Sequence, residues 1–322
     1  MKLNLTNSLM YYTLMIGMLL SISSNNWMMM WSGLEISLMS FIPLMSGGMM
    51  GSESSMKYFI IQSISSTLLI LSIVMMIATK LQYNFIMMIS LTLKMGVAPF
   101  HNWVLSIINS LEYKMMFLLL TIMKIAPLIM LSYLNYLNNL IIISSLIVGS
   151  IFSLNQNNIR KLLAYSSIYN MAYILSSINM NSIWVTYFIL YSTILYFLIK
   201  MINKLKINYL NQFMINDYST ITKTNLWISM LSMGGMPPLL GFFPKLIIFK
   251  MMIMKQSFFL IILMIFTSLI SMFFYMRMVF ISLMNYSSMF KFKKQNIYKL
   301  SMWSLMTNTN LFTFLISLKY FL

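Results

Sequence analysis

Gly234-Gly235-Met236-Pro237-Pro238-Leu239-Leu240-Gly241-Phe242-Phe243-Pro244-Lys245 is the stretch that decides how this chain folds. Three prolines and three glycines interrupt an apolar run that extends over roughly 226–249. A helix needs about 20 residues to cross a bilayer, and neither flank reaches that length alone. The run therefore reads as one discontinuous helix with an unwound centre, and less well as a loop between two short helices outside the membrane. Each proline removes an N–H and displaces the carbonyl four residues back. At membrane depth the freed groups need protein or water around them. Lys245 lies just beyond the break, where a charge at the helix centre costs about 2.5–3.5 kcal/mol on insertion scales.

The same association recurs along the chain. Lys94-Met95-Gly96-Val97-Ala98-Pro99 and Lys124-Ile125-Ala126-Pro127 each place an amine just upstream of a proline expected to break the helix. Glu35 sits mid-helix in Trp31-Ser32-Gly33-Leu34-Glu35-Ile36-Ser37, with Pro43 beyond it. All six prolines fall within eight residues of Glu35, Lys94, Lys124 or Lys245. Arg277 is a fifth ionisable residue inside an apolar segment.

Only 8% of the 322 residues are charged and 60% are hydrophobic. Soluble domains carry about 25% charge, so this is a polytopic, all-α membrane protein. Apolar runs over 5–24, 26–46, 56–78, 84–106, 113–133, 138–154, 161–179, 182–200, 226–249, 256–281 and 301–320 predict about eleven transmembrane helices. They are expected to form a single domain over 1–322. Trp27, Trp103, Trp184, Trp227 and Trp303 fall near helix ends, as an interfacial aromatic belt would place them. Lysines and arginines crowd the loops of one side: Lys2, Lys57, Lys114, Arg160, Lys161, Lys200, Lys204, Lys206, Lys223, Lys291, Lys293, Lys294 and Lys299. The other side holds Lys80, Lys250, Lys255 and Lys319. The bias puts the N-terminus on the matrix or cytoplasmic side. The opening residues show neither a small-residue cleavage site nor an Arg-rich presequence, so the first helix is expected to stay in the mature protein.

What is missing narrows the function. Cysteine is absent, which excludes disulfides, thiolate metal sites and iron–sulfur ligation within this chain. One histidine cannot build a bis-histidine haem. No G-x-G-x-x-G or G-x-x-x-x-G-K-[ST] occurs. In a redox machine the part left for this chain is an ion path. The net charge of +17 is scattered over short loops, which argues against nucleic-acid binding. The 39 methionines are spread throughout and fit an AT-rich mitochondrial gene better than a structural need.

A lysine amine that is buried can hold or release a proton near neutral pH, and a nearby carboxylate favours its charged form. Glu35, Lys94, Lys124 and Lys245 are therefore candidates for proton translocation. The alternative is static ion pairing that only fixes packing. His101, in Pro99-Phe100-His101-Asn102-Trp103, reads equally as a proton relay or as a hydrogen-bonded interfacial residue. Arg160-Lys161 reads as a surface anchor, and Arg277 as a side chain that snorkels.

WSGLEISLMSFIPL (31–44), LKMGVAPFHNWV (93–104), MKIAPL (123–128), LNQNNIRKLLAYSSI (154–168), LSMGGMPPLLGFFPK (231–245) and FFYMR (273–277) resemble, in order, segments of the antiporter-like membrane subunits of mitochondrial NADH–ubiquinone oxidoreductase, respiratory complex I. Lysine rather than glutamate at 245 is closer to the chain 2 members than to the chain 4 members. The resemblance implies a half-channel pair joined by a row of charged residues. Glu35 would be the carboxylate paired with Lys94, Lys124 the central lysine, and Lys245 the lysine of the second broken helix. Asn158 stands where many relatives carry an acid. The wider family has fourteen helices; about eleven fit here, as after loss of three at the N-terminus. The resemblance also implies membrane-arm partners, among them neighbouring antiporter-like chains, and inner-membrane phospholipids. FMN, iron–sulfur clusters and ubiquinone would belong to other subunits, with no cofactor in this chain. A stand-alone or Mrp-type cation/proton antiporter is the rival reading.

Overall fold

The computed structural model describes residues 5–79, 83–134, 139–179, 183–215 and 220–284. Fourteen helices account for most of them: α1 (Leu5–Ser23), α2 (Trp27–Met45), α3 (Gly48–Thr79), α4 (Asn84–Met95), α5 (Asn102–Ile108), α6 (Tyr113–Leu120), α7 (Ile122–Leu134), α8 (Asn139–Leu154), α9 (Ile159–Ser177), α10 (Ile183–Leu205), α11 (Gln212–Ile215), α12 (Thr220–Gly234), α13 (Phe242–Met254) and α14 (Phe258–Met284). Among the described residues the only β pairing is an isolated bridge between Asn158 and Tyr209. The fold is all-helical, as the apolar periodicity requires. The predicted span 301–320 lies outside the described residues.

Among the described residues six stretches are long and apolar enough to cross a membrane unaided: Leu5–Ser23, Trp27–Met45, Met49–Ala78, Tyr113–Leu134, Ile183–Leu205 and Phe258–Leu283. The predicted span 56–78 starts earlier than expected. Polar and small residues carry α3 back to Gly48, outside the apolar window, with Lys57 bonded to Glu53 one turn away.

Contacts group the chain into two compact units, Met1–Ile141 and Ile142–Leu322. In the first, α7 is packed by α1, α2, α4 and α6, and α3 covers α4 and α5. α1 and α2 meet backbone to backbone at Gly17 and Gly33. A Cβ on Gly33 would lie 2.7 Å from the Gly17 carbonyl oxygen, so only hydrogen fits. This contact sits two residues before Glu35. In the second unit, α9 is enclosed by protein, and every residue from Leu162 to Ser177 is buried. Its neighbours include α10 and α13, while α12 packs on α10 and α14.

Two of the expected breaks share one local geometry. α4 ends with Gly96 left-handed at φ 66°, its N–H on the Leu93 carbonyl and the Val97 N–H on that of Thr92. α12 ends with Gly235 left-handed at φ 85°, its N–H shared between Leu231 and Ser232, and Met236 N–H on Leu231. Both are Schellman C-caps, in which glycine escapes the Cβ penalty of positive φ. The third break departs from expectation. Pro127 lies inside α7, and the helix is interrupted earlier, at Thr121 (φ −121°, ψ −77°). The interruption lies upstream of Pro127, beyond the Met123 carbonyl that its ring displaces four residues back. Lys124 thereby occupies the first turn of α7, where its N–H bonds the Thr121 carbonyl at 3.0 Å.

Candidate functional site

In the first unit α2 and α4 bring Glu35 and Lys94 together. Lys94 Nζ donates to Glu35 Oε1 at 3.5 Å. The lysine side chain is 4% exposed and the carboxylate 22%. Because Lys94 is in the last turn of α4, the break that follows strips neighbouring carbonyls of their helical donors. Gln62 of α3 donates to the Lys94 carbonyl at 3.3 Å, and the Trp103 indole N–H to that of Leu93 at 3.1 Å.

Lys94 and Lys124 open onto the same cavity, about 20 Å³ and large enough for about one water. Tyr58, Gln62, Trp103 and Ser37 also line it. Lys124 is 3% exposed. Two amines thus share an enclosed space, one of them held by a carboxylate. His101 half-emerges in the turn between α4 and α5, its Nδ1 3.2 Å from the Pro99 carbonyl, and does not line this cavity.

Lys245 belongs to the second unit. Pro244 occupies the third position of α13, inside the first turn, where a missing N–H costs little. Lys245 follows it with its side chain turned back to the break. Its Nζ donates to the Gly234 carbonyl, the end of α12, at 2.9 Å. The rings of Tyr169 and Tyr173 lie 5.2 and 5.7 Å from the same nitrogen. A second cavity of about 20 Å³ is lined by Lys245, Asn170, Tyr187, Tyr191 and Ser232.

Two expectations about other residues are corrected. Trp103 is not a belt residue: it is 7% exposed, its indole N–H turned inward to the Leu93 carbonyl. Arg277 does not snorkel. Its two terminal nitrogens donate to the carbonyls of Leu154, at 2.6 Å, and Gln156, at 3.1 Å, at the end of α8. A guanidinium there complements the helix C-terminus. Arg160 reaches Asn208 at 3.2 Å, and Asn158 caps α9 by accepting the Arg160 N–H at 3.0 Å.

The family described as NADH:quinone oxidoreductase/Mrp antiporter, transmembrane region, matches residues 24–271. The NADH-ubiquinone oxidoreductase chain 2 of Anopheles gambiae is 37% identical over 299 residues, spanning 88% of this chain and 87% of its own. That of Locusta migratoria is 37% identical, spanning 83% and 82%. The chain belongs to the NADH-ubiquinone oxidoreductase chain 2 family. A subunit of respiratory complex I from Thermus thermophilus superposes with a TM-score of 0.80 at 20% identity, over 94% of this chain and 76% of its own, which establishes the antiporter-like fold. Residues of this chain 2 family member that sequence reasoning passed over are Gln62 and Tyr58 in the first cavity and Tyr169, Asn170, Tyr173 and Tyr187 near Lys245. A faint signal existed for the last group: Tyr165, Tyr169 and Tyr173 recur every fourth residue.

Proposed function

We propose that this chain is a core membrane-arm subunit of proton-translocating NADH:ubiquinone oxidoreductase, in which Glu35, Lys94, Lys124 and Lys245 hold and pass protons. The observation that carries the reading is the shared cavity of Lys94 and Lys124, with Glu35 bonded to the first amine. When quinone reduction in another subunit shifts Glu35, the Coulomb attraction at Lys94 changes, and with it the readiness of the neighbouring amine to take or yield a proton. Lys124 is the hinge of that exchange, and Lys245 is the corresponding amine of the second unit. His101 is the candidate relay at the margin. Catalysis of electron transfer, with FMN, iron–sulfur clusters and ubiquinone, falls to other subunits.

The chain acts as one antiporter-like domain, a reading supported by the single family match across 24–271. It crosses the mitochondrial inner membrane about eleven times with its N-terminus on the matrix side, as the loop lysines favour. Its partners are the other membrane-arm subunits, including neighbouring antiporter-like chains, and inner-membrane phospholipids. The Mrp-type alternative is disfavoured by the identity to chain 2 relatives along most of the chain.

Lys124→Met in the assembled complex tests the reading, with protons translocated counted per NADH oxidised. Loss of pumping is expected. Full proton stoichiometry in complexes of normal abundance would overturn it.

A further inference from the structure

Lys94 has a carboxylate; among the described residues Lys245 has none. The chain's four acids are Glu35, Glu53, Glu112 and Asp217. The first three belong to the first unit, and Asp217 lies outside the described residues. Among the described residues no acidic side chain lines the Lys245 cavity. Yet Lys245 is 3% exposed, and a buried ammonium requires compensation.

The surroundings provide it in another form. The Gly234 carbonyl accepts from Nζ at 2.9 Å and belongs to the last residue of α12, where the helix dipole is negative. The Tyr169 and Tyr173 rings lie within cation–π range on α9. Their hydroxyls are engaged elsewhere: Tyr173 donates to the Met264 carbonyl at 3.0 Å, which leaves the Tyr169–Tyr173 contact of 2.8 Å to a Tyr169 proton. The hydroxyls thus bond groups other than the amine, and it is the rings that face it. Gly235 leaves the space for it, since a Cβ there would stand 2.8 Å from Nζ. The remaining titratable groups around this centre are Tyr187 and Tyr191 of α10, which line the cavity, and Tyr275 of α14, which packs on Gly234. All are phenols, and among the described residues neither a carboxylate nor a second cation joins them.

We propose that Tyr169 and Tyr173, with the Gly234 carbonyl, form a carboxylate-free cage that serves as the counter-charge for Lys245 when it holds a proton. This rests on the reading of Lys245 as a proton carrier. The two tyrosines are positioning residues, and the cage requires their rings and not their hydroxyls.

The experiment compares three variants of the intact complex in its own membrane: Tyr169→Phe with Tyr173→Phe, Tyr169→Leu with Tyr173→Leu, and Lys245→Met. Protons per NADH are followed across pH and normalised to assembled complex on native gels. The phenylalanine pair is expected to pump as the parent does. The leucine pair is expected to lose at least half its stoichiometry and to fall off at lower pH than the parent. A leucine pair with the parental stoichiometry and pH profile overturns the cage. So does a phenylalanine pair as impaired as the leucine pair, which would assign the role to the hydroxyls. If the leucine pair does not assemble, Tyr173→Leu alone replaces it and is read the same way. Full pumping by Lys245→Met overturns the underlying reading instead, whatever the tyrosine variants do.

Discussion

Lys94 Nζ stands 3.5 Å from Glu35 Oε1, across α2 and α4, with the lysine almost fully enclosed and the carboxylate still partly open. The asymmetry matters. An enclosed amine cannot recruit bulk water when its partner leaves, whereas Glu35 retains an outlet. Glu35→Gln keeps the shape and removes the charge. It should destabilise the local packing by about 3 kcal/mol, the lower end for a broken buried pair given the partial exposure of Glu35. Protons per NADH should fall in complexes that assemble, while Glu35→Asp should retain part of the coupling. Unchanged stoichiometry in Glu35→Gln would leave the pair a packing device only.

The two left-handed glycines offer a second test. Gly96→Ala and Gly235→Ala each place a Cβ at positive φ, which costs roughly 1–2 kcal/mol for an L-residue. The sites differ in what the new methyl meets. At Gly96 it collides with Val104 and Trp103, so the α4–α5 turn must open. At Gly235 it meets the end of the Lys245 side chain, which is flexible and can move. Gly96→Ala should therefore lower the amount of assembled complex on native gels. Gly235→Ala should assemble more nearly normally but pump less, because the amine is displaced from its carbonyl and rings. Equal effects of the two on abundance and on pumping would contradict this division.

Much of this arrangement can be read from residue types alone, and the limits have physical causes. Glycine before proline after Lys94, and paired glycines before Pro237, mark breaks because few other residues tolerate the backbone required. The interruption at Thr121 was not legible, because it lies further upstream of Pro127 than the one turn a proline disturbs, and nothing in the identity of Thr121 marks the place. Trp103 and Gln62 were misplaced or missed for a related reason. A break creates orphan carbonyls, and which side chain reaches them depends on the packing of α3 and α5 against α4, which is tertiary information. The tyrosines of α9 were visible as a repeat. That their rings would face Lys245 was not, since it depends on how α13 packs against α9.

Arg277 provides the last prediction. Its guanidinium spans two carbonyls at the end of α8, Leu154 and Gln156, from a helix more than a hundred residues later in the chain. A planar fork can hold both at once; a lysine, as a point donor, cannot match that geometry. Each hydrogen bond from a charged donor is worth about 1.5–3 kcal/mol. Arg277→Met should cost most of both, and Arg277→Lys about one of them. Neither replacement removes a group from the lysine cavities, so protons per NADH should stay at the parental value in complexes that remain intact. The loss should appear in stability: lower abundance on native gels and faster thermal inactivation of NADH oxidation, graded Met worse than Lys. Normal abundance and heat resistance with impaired pumping would move Arg277 from the scaffold into the proton path.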